Sequence, residues 1–365
     1  MAKDNLAPSD PQPTLPVHGS SMLPSVEVVS YSLELDGEEG YLGDQVNKGA
    51  FTQMLDRIRK SLRDAGEQDP LGDTRSDRIS RKKLGSLLAK GEPEAAAVVQ
   101  SAVEEFAQQF QQVVRRFLRL KSWREVECIV VGGGFSGSRV GELAVGRAAI
   151  LLKADGVGVD LQLIHHDPDE AGLIGAGHLL PAWMVEGYDA ILAVDVGGTN
   201  IRAGIVELNL AKAKDLSKAS VADMELWCHD DEKELKRDDA VDYLVKMLTG
   251  LVAIARKRGL KLAPVIGIGC PGSIREDGSI ERGAQNLPGN WESSKFNLPA
   301  VIRERLPKIG EHETLIVMHN DAVVQGLSEL PSLKDRKHWG ILTIGTGLGN
   351  ASFVTRATSK AKRGS

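Results

Sequence analysis

A carboxylate at the end of an apolar run, followed by two glycines and a threonine, is a pattern suited to holding phosphate. Residues 193–202 read Ala-Val-Asp195-Val-Gly197-Gly198-Thr199-Asn-Ile-Arg202, a strand that ends near Asp195, turns on Gly197 and Gly198, and returns as a second strand. Such a hairpin lets backbone N–H groups and the Thr199 hydroxyl face phosphate oxygens, while Asp195 holds, through water, the Mg²⁺ that neutralises them. A plain β-turn also explains the glycines. It does not explain a carboxylate in an apolar strand, which is costly to bury without a cation or hydrogen bonds. A second glycine hairpin, Ile344-Gly345-Thr346-Gly347-Leu348-Gly349-Asn350, follows another apolar strand. Two such loops closing on a triphosphate from opposite sides form a more specific signal than either alone.

Between the hairpins, Leu315-Ile-Val-Met-His319-Asn320-Asp321-Ala322 is a strand that delivers Asn320 and Asp321 to its C-terminal end and then starts a helix. Ligands gather at that end of strands in open α/β sheets. Either side chain can simply cap the helix. Beside two phosphate loops, an aspartate aimed at a substrate hydroxyl is instead the base expected for phosphoryl transfer. The stretch from Gly269 through Pro271, Gly272, Ser273, Gln285, Asn286 and Gly289 to Trp291 is rich in turns, amides and hydroxyls. These groups match the donors and acceptors of a sugar, with Trp291 as an apolar wall, although a long surface loop reads the same way. A rival signal lies upstream. Val130-Val-Gly132-Gly133-Gly134-Phe-Ser-Gly137 follows a strand and precedes a helix, with another strand ending near Asp167, which fits a dinucleotide-binding fingerprint and an oxidoreductase. The same glycines also suit the close approach of an adenine and ribose.

Positioning these loops requires short strands alternating with helices, the signature of α/β architecture. Strands are expected at Val26–Leu35, Cys128–Val131, Asp160–Ile164, Ala190–Val196, Ile201–Val206, Pro264–Gly269, Leu315–Met318, Gly340–Ile344 and Ala351–Val354. Phe51, Met54, Leu55, Ile58 and Leu62 recur at helical spacing, and a long amphipathic helix is expected from about Glu94 to Phe117. A third helix runs from Asp239 to Lys257, with Gly259 as its stop. Residues 69–85 read as a charged connector, and residues 1–25 as a disordered tail rich in Pro, Ser and Asp, as does the basic end.

With 365 residues the chain is too long for one ordinary core, so two lobes around a cleft are expected. A composition 42% hydrophobic and 26% charged, with net charge −5, is that of a globular protein without a nucleic-acid footprint. Cys128, Cys228 and Cys270 lie far apart and encode neither a disulfide framework nor a zinc cluster, which fits a reducing cytoplasm. The first residues lack a signal-peptide core and the apolar runs are short, so neither secretion nor membrane insertion is expected.

Together DVGGTNIR, GCPGSI to NLPGNW, HNDA, GTGLGNA, VVGGGFS and DEAGLIGAG resemble the ROK family of sugar kinases and repressors, in particular its glucokinase-like kinases. In that family the DxGGTxxR strand lies near the N-terminus, and the glycine-rich adenosine segment and AGLIGA helix close the chain. Here the order is reversed, which resembles a circular permutation joining the family's ends around residues 180–190. The resemblance implies an actin-like pair of ribonuclease-H-type domains with ATP and Mg²⁺ in the cleft. One domain would comprise residues 26–168 plus 332–365, the other residues 169–331. Asp195, Gly197, Gly198 and Thr199, opposite Gly345, Thr346 and Gly347, would hold phosphates and metal, with Gly132, Gly133 and Gly134 bordering the adenosine. Asp321 would be the general base, with Asn320, Asn286, Gly272 and Glu38 around the sugar.

The family's GExGH sugar-binding segment has its nearest match in Gly37-Glu38-Glu39-Gly40-Tyr41, with Tyr41 replacing His. Alternatively Leu33–Gly37 is the strand that follows that segment. The family's cysteine-rich zinc cluster has no counterpart. The implied activity is phosphorylation of a hexose hydroxyl by ATP, with a small-molecule sugar as partner and a homodimer compatible with it. A non-catalytic sugar sensor or scaffold of the same fold is the alternative.

Overall fold

The computed structural model describes residues 15–37, 40–232 and 234–356. The chain opens with strand β1 (Val26–Tyr31) and helices α1 (Lys48–Asp64), α2 (Arg81–Lys90) and α3 (Pro93–Leu118). Strand β2 (Cys128–Gly132), helix α4 (Arg139–Ala154), strand β3 (Asp160–Leu163), helix α5 (Pro168–Ala176) and the single turn α6 (Ala182–Val185) follow. Next come β4 (Ala190–Val196), β5 (Asn200–Glu207), β6 (Ser220–Cys228), α7 (Arg237–Lys257) and β7 (Leu262–Cys270). Helix α8 (Leu298–Arg305), the small hairpin β8 (Lys308–Ile309) and β9 (His312–Glu313), β10 (Leu315–Asn320), α9 (Asp321–Leu327), β11 (His338–Ile344) and β12 (Leu348–Thr355) complete the chain.

The result is a mixed α/β fold with two five-stranded sheets, ordered β1-β12-β11-β2-β3 and β10-β7-β4-β5-β6. In the second sheet, β4, β5 and β6 form an antiparallel meander, and β7 and then β10 add in parallel beside β4. The first sheet is built alike: β11, β12 and β1 form the meander, and β2 and then β3 add in parallel beside β11. Its meander, however, begins near the end of the chain at β11 and finishes at the start with β1.

Alternation along the central strands sends side chains to both faces, so each sheet feeds two apolar cores. From β2, Ile129 and Val131 join the core under α1 to α4, while Cys128 and Val130 face the middle layer. From β4, Ile191 and Ala193 face that same middle layer, while Leu192 and Val194 pack under α7. Helices α5 and α9 fill the space between the sheets. They cross closely because Gly175 carries no Cβ; one built there would lie 1.8 Å from the Val324 carbonyl oxygen.

Two expectations are corrected, and one strand is added. Residues 15–25 of the supposed tail are placed: Leu23 is buried, Met22 bridges to Glu27, and residues 18–20 lie along β10. The connector 69–85 already contains the start of α2, capped by Ser80. Strand β6 lacks a clear apolar alternation because it is a sheet edge, mostly half-buried, and was not anticipated.

Candidate functional site

A cleft of about 680 Å³ lies at the ends of the central strands of both sheets. Asp195, Gly197, Gly198, Thr199, Gly272, Asn286, Asn320, Asp321, Gly345, Thr346, Gly347, Gly133 and Gly134 all line it. Gly132 does not: it is buried behind the wall, where a Cβ would meet the Gln325 amide oxygen at 2.4 Å. Glu38 lies outside the described residues. Trp291 is core rather than a sugar wall; it is buried, stacks edge-on against Phe296 at 5.5 Å, and donates its indole N–H to the Pro288 carbonyl.

The two glycine hairpins meet tip to tip, with the Thr199 and Thr346 hydroxyls 2.7 Å apart. In the first, the Gly197 N–H closes on the Asn200 carbonyl; in the second, the Gly345 N–H closes on the Gly347 carbonyl. The amides of Gly198, Thr199, Thr346 and Gly347 take no partner among the described residues, which leaves donors at the cleft wall. None of Gly197, Gly198, Gly345 and Gly347 is among the residues at positive φ, so turn conformation does not require glycine there. Space does at Gly198, whose absent Cβ would sit 3.1 Å from the Asn286 Cβ, and Gly347 faces open space. His229, carried at the end of β6, braces the first hairpin through its Nε2 and the Gly197 carbonyl, 2.8 Å apart.

The glycine turn after β2 behaves differently. Its Gly133 N–H donates to the Gln325 amide oxygen, the Phe135 N–H to the Ile344 carbonyl and the Ser136 N–H to the Gly133 carbonyl. These amides are spent inside the fold and cannot cradle a pyrophosphate. Asp167, in the place of a ribose-binding acid, caps α5 instead through the Asp169 N–H. The dinucleotide reading therefore loses its geometric basis, while Gly133 and Gly134 still form open wall.

Asp195 and Asp321 flank the end of β7, since a Cβ on Gly269 would lie 3.6 Å from the Asp195 Oδ1 and 3.5 Å from the Asp321 Cα. Burial, reinforced by the charge of Asp195, pushes the Asp321 carboxyl up to about 7. Burial likewise raises Asp195, against the pull of Arg202, whose guanidinium lies 3.3 Å away and also binds Asp169. Gly172 of α5 makes room for this carboxylate, as its Cβ would fall 2.8 Å from the Asp195 Cγ.

Two raised carboxylates at one point mark a site short of positive charge, which fits a hydrated divalent cation at Asp195. Among the described residues no group of three or more His, Cys, Asp or Glu could hold a metal unaided, so phosphate oxygens and water would supply the other ligands. Asn320 caps α9, its Oδ1 accepting from the Ala322 and Val323 N–H groups while its Nδ2 donates to the Gly272 carbonyl. Its amide also interacts with the neighbouring Asp321 carboxylate, which partly opposes the rise in that group's pKa.

Several lining residues were not anticipated. Arg81, at the start of α2, stands 3.7 Å from where a Gly134 Cβ would be, its charged form weakened by burial and favoured by Asp169. Lys48 opens α1 beside the second hairpin, its N–H bound to the Gly345 carbonyl. Ser32 and Glu34 line the cleft as well, together with Gln285 and Asn350 of the loops already singled out. The signals of Arg81, Ser32 and Glu34 were single polar residues in segments read as connector or strand, with no repeated spacing to mark them.

No family model matches the chain, and no curated protein matches it. Among solved structures, it is similar to a ROK hexokinase from Thermus thermophilus, with 19% identity over 48% of this chain and 50% of that one and a TM-score of 0.34. It is also similar to an exopolyphosphatase from Cytophaga hutchinsonii, with 15% identity over 52% and 56% of the two chains and a TM-score of 0.23. A PPX-GPPA enzyme from Aquifex aeolicus matches at 11% identity over 69% and 82%, with a TM-score of 0.24. The chain spans about half the length of the first sugar kinases it matches. At such identities and TM-scores these likenesses carry no functional argument. Among the described residues no helix is long and apolar enough to cross a membrane.

Proposed function

We propose that this chain is an ATP-dependent kinase of the glucokinase-like, ROK type that phosphorylates a hexose hydroxyl, with Asp321 as the general base. The observation that carries the reading is the meeting of two hairpins with unpaired amides in one cleft that also holds a raised, half-buried carboxylate. Phosphoryl transfer asks for little covalent chemistry from the protein; it needs positioning and charge stabilisation, which such donors supply.

In this reading Asp195 holds a hydrated Mg²⁺, which when bound neutralises charge on the phosphates. The amides of Gly198, Thr199, Thr346 and Gly347 orient the phosphates, with Arg81 and Lys48 as nearby cations. Gly133 and Gly134 border the adenosine. Asn286, the Gly272 turn and Asn320 face the sugar. Asp321, with a pKa close to neutral, is matched to accept the hydroxyl proton at physiological pH. Closure of the hairpins, whose tips already touch, excludes water from the transferred group.

The repeated sheet plan supports an actin-like pair of ribonuclease-H-type domains, 26–168 plus 332–365 and 169–331. The first sheet's meander, split between chain end and chain start, supports a circularly permuted order. The deciding experiment is a coupled ADP-release assay over hexoses, amino sugars and N-acetylated sugars. Sugar-dependent release that disappears in Asp321→Asn is expected. Release that ignores every sugar, or that survives the substitution, refutes the assignment.

A further inference from the structure

Resting on that reading, we propose that the N-terminal strap at residues 17–20 is a positioning element of the active site, which acts through His319 to hold Asn320 and Asp321 in place. The strap runs along the free edge of β10, the strand that ends at Asn320. The Gly19 N–H donates to the Met318 carbonyl at 3.0 Å, and the Met318 N–H donates back to the His18 Nδ1 at 3.0 Å. One residue on, the His319 Nε2 lies 3.1 Å from the Ser20 carbonyl, and its Nδ1 lies 2.7 Å from the Asn320 N–H.

A backbone carbonyl can only accept and a backbone N–H can only donate, so these two bonds dictate a neutral imidazole with its proton on Nε2. Ser20 thereby fixes the tautomer that lets Nδ1 receive the Asn320 amide. Without the strap, the Nε2 proton would be a buried donor lacking a partner, and the ring would be free to turn or switch tautomer. Asn320 in turn caps α9 and grips the Gly272 turn, so a shift at its N–H reaches the base and the sugar loop together.

The strap is held to one path. Gly19 has φ of +57°, and a Cβ on it would lie 2.1 Å from the Ile274 carbonyl oxygen. The Tyr31 ring covers His319 edge-on at 5.1 Å, and its hydroxyl donates to the same Ile274 carbonyl. Because Tyr31 belongs to β1 of the first sheet and His319 to β10 of the second, this ring contact joins the two sheets beside the strap. None of His18, Gly19, Ser20 or His319 lines the cleft.

The test uses the full chain, two disruptive substitutions away from the cleft and one rescue. Gly19→Val cannot keep the strap seated, and His18→Ala removes the acceptor for Met318; His18→Asn places an oxygen near the position of Nδ1 and serves as the rescue. Both disruptive variants are expected to lose kcat by roughly tenfold to a hundredfold, the scale of a small misplacement of reacting groups. ATP dissociation constants should stay within about twofold, because no strap residue lines the cleft, and His18→Asn should recover most of the turnover. In ¹⁵N spectra the His319 ring of the wild type should show the Nε2–H form, lost in Gly19→Val. An active wild type with unaltered turnover in Gly19→Val and His18→Ala overturns the strap inference alone. A wild type inactive on every sugar overturns the kinase reading and takes the strap inference with it.

Discussion

Replacing the proposed base, Asp321, by its amide should make the free protein more stable, and only at the right pH. Asp321 ionises near 3.8 when unfolded but at about 7 in the fold, because burial and Asp195 oppose its charge. Between those values the folded state holds a proton that the unfolded state has released. Stability contributed by this group therefore falls as pH rises from about 4 to about 7 and stays low above it. At ~1.4 kcal/mol for each pH unit between the two ionisations, the cost of ionising the folded carboxyl is at most about 4 kcal/mol. Asp321→Asn escapes that cost, since the amide never ionises. Urea unfolding, followed by the fluorescence of the buried Trp123, Trp291 and Trp339, should show no advantage for the variant near pH 4 and about 2–4 kcal/mol above pH 8. Nucleotide and Mg²⁺ must be absent, because each changes the charge beside the carboxyl: the cation would relieve it and the phosphates would add to it. An advantage of equal size at both pH values would refute the claim that Asp321 is an electrostatically strained carboxylate. The same variant should lose roughly 10²–10⁴-fold in sugar phosphorylation, which sets stability against function at one residue.

Other outcomes follow from the same geometry. Wild-type kcat/KM should fall tenfold per pH unit below about 7 as Asp321 becomes protonated, and a flat profile down to pH 5 would remove it from the role of base. Asp195→Ala should abolish the gain in ATP affinity that Mg²⁺ confers, measured by calorimetry with and without the ion. Arg81→Ala should raise the KM for ATP by roughly tenfold or more, the scale of one charge-assisted contact, with the KM for sugar unchanged. Gly175→Ala, forced against the Val324 carbonyl, should cost several kcal/mol by thermal unfolding, whereas Gly146→Ala on the open face of α4 should gain about 0.5–1 kcal/mol.

Much of the site was legible in the sequence because its chemistry is local. A hairpin of two glycines and a threonine after an apolar strand is one turn of chain, and so is the Asn320-Asp321 pair at the end of β10. Apolar runs at strand length and the stripe through Val98, Phe106, Val113 and Phe117 likewise located β4, β7, β10 and α3, since burial on both faces or on one helical face leaves a period in the residues themselves. Which amides remain unpaired was not legible. The glycine turn after β2 fitted a dinucleotide fingerprint in its sequence, and only Gln325, far along the chain, shows that the Gly133 N–H is already taken. Trp291 beside a polar loop read as a sugar wall until the packing of Phe296 and α7 placed it in the core.

The sequence by itself determined the local devices: the two glycine hairpins, the carboxylates near the ends of β4 and β10, and the alternation of strands with helices. Tertiary structure alone decided that the hairpins share one cleft, that Arg81 and Lys48 face it, and that residues 17–20 lie against β10. Those are contacts between segments separated by up to 300 positions. Their partners are carbonyls, amides and absent Cβ atoms, groups that every residue or any glycine offers, and so they leave no mark on residue type or spacing.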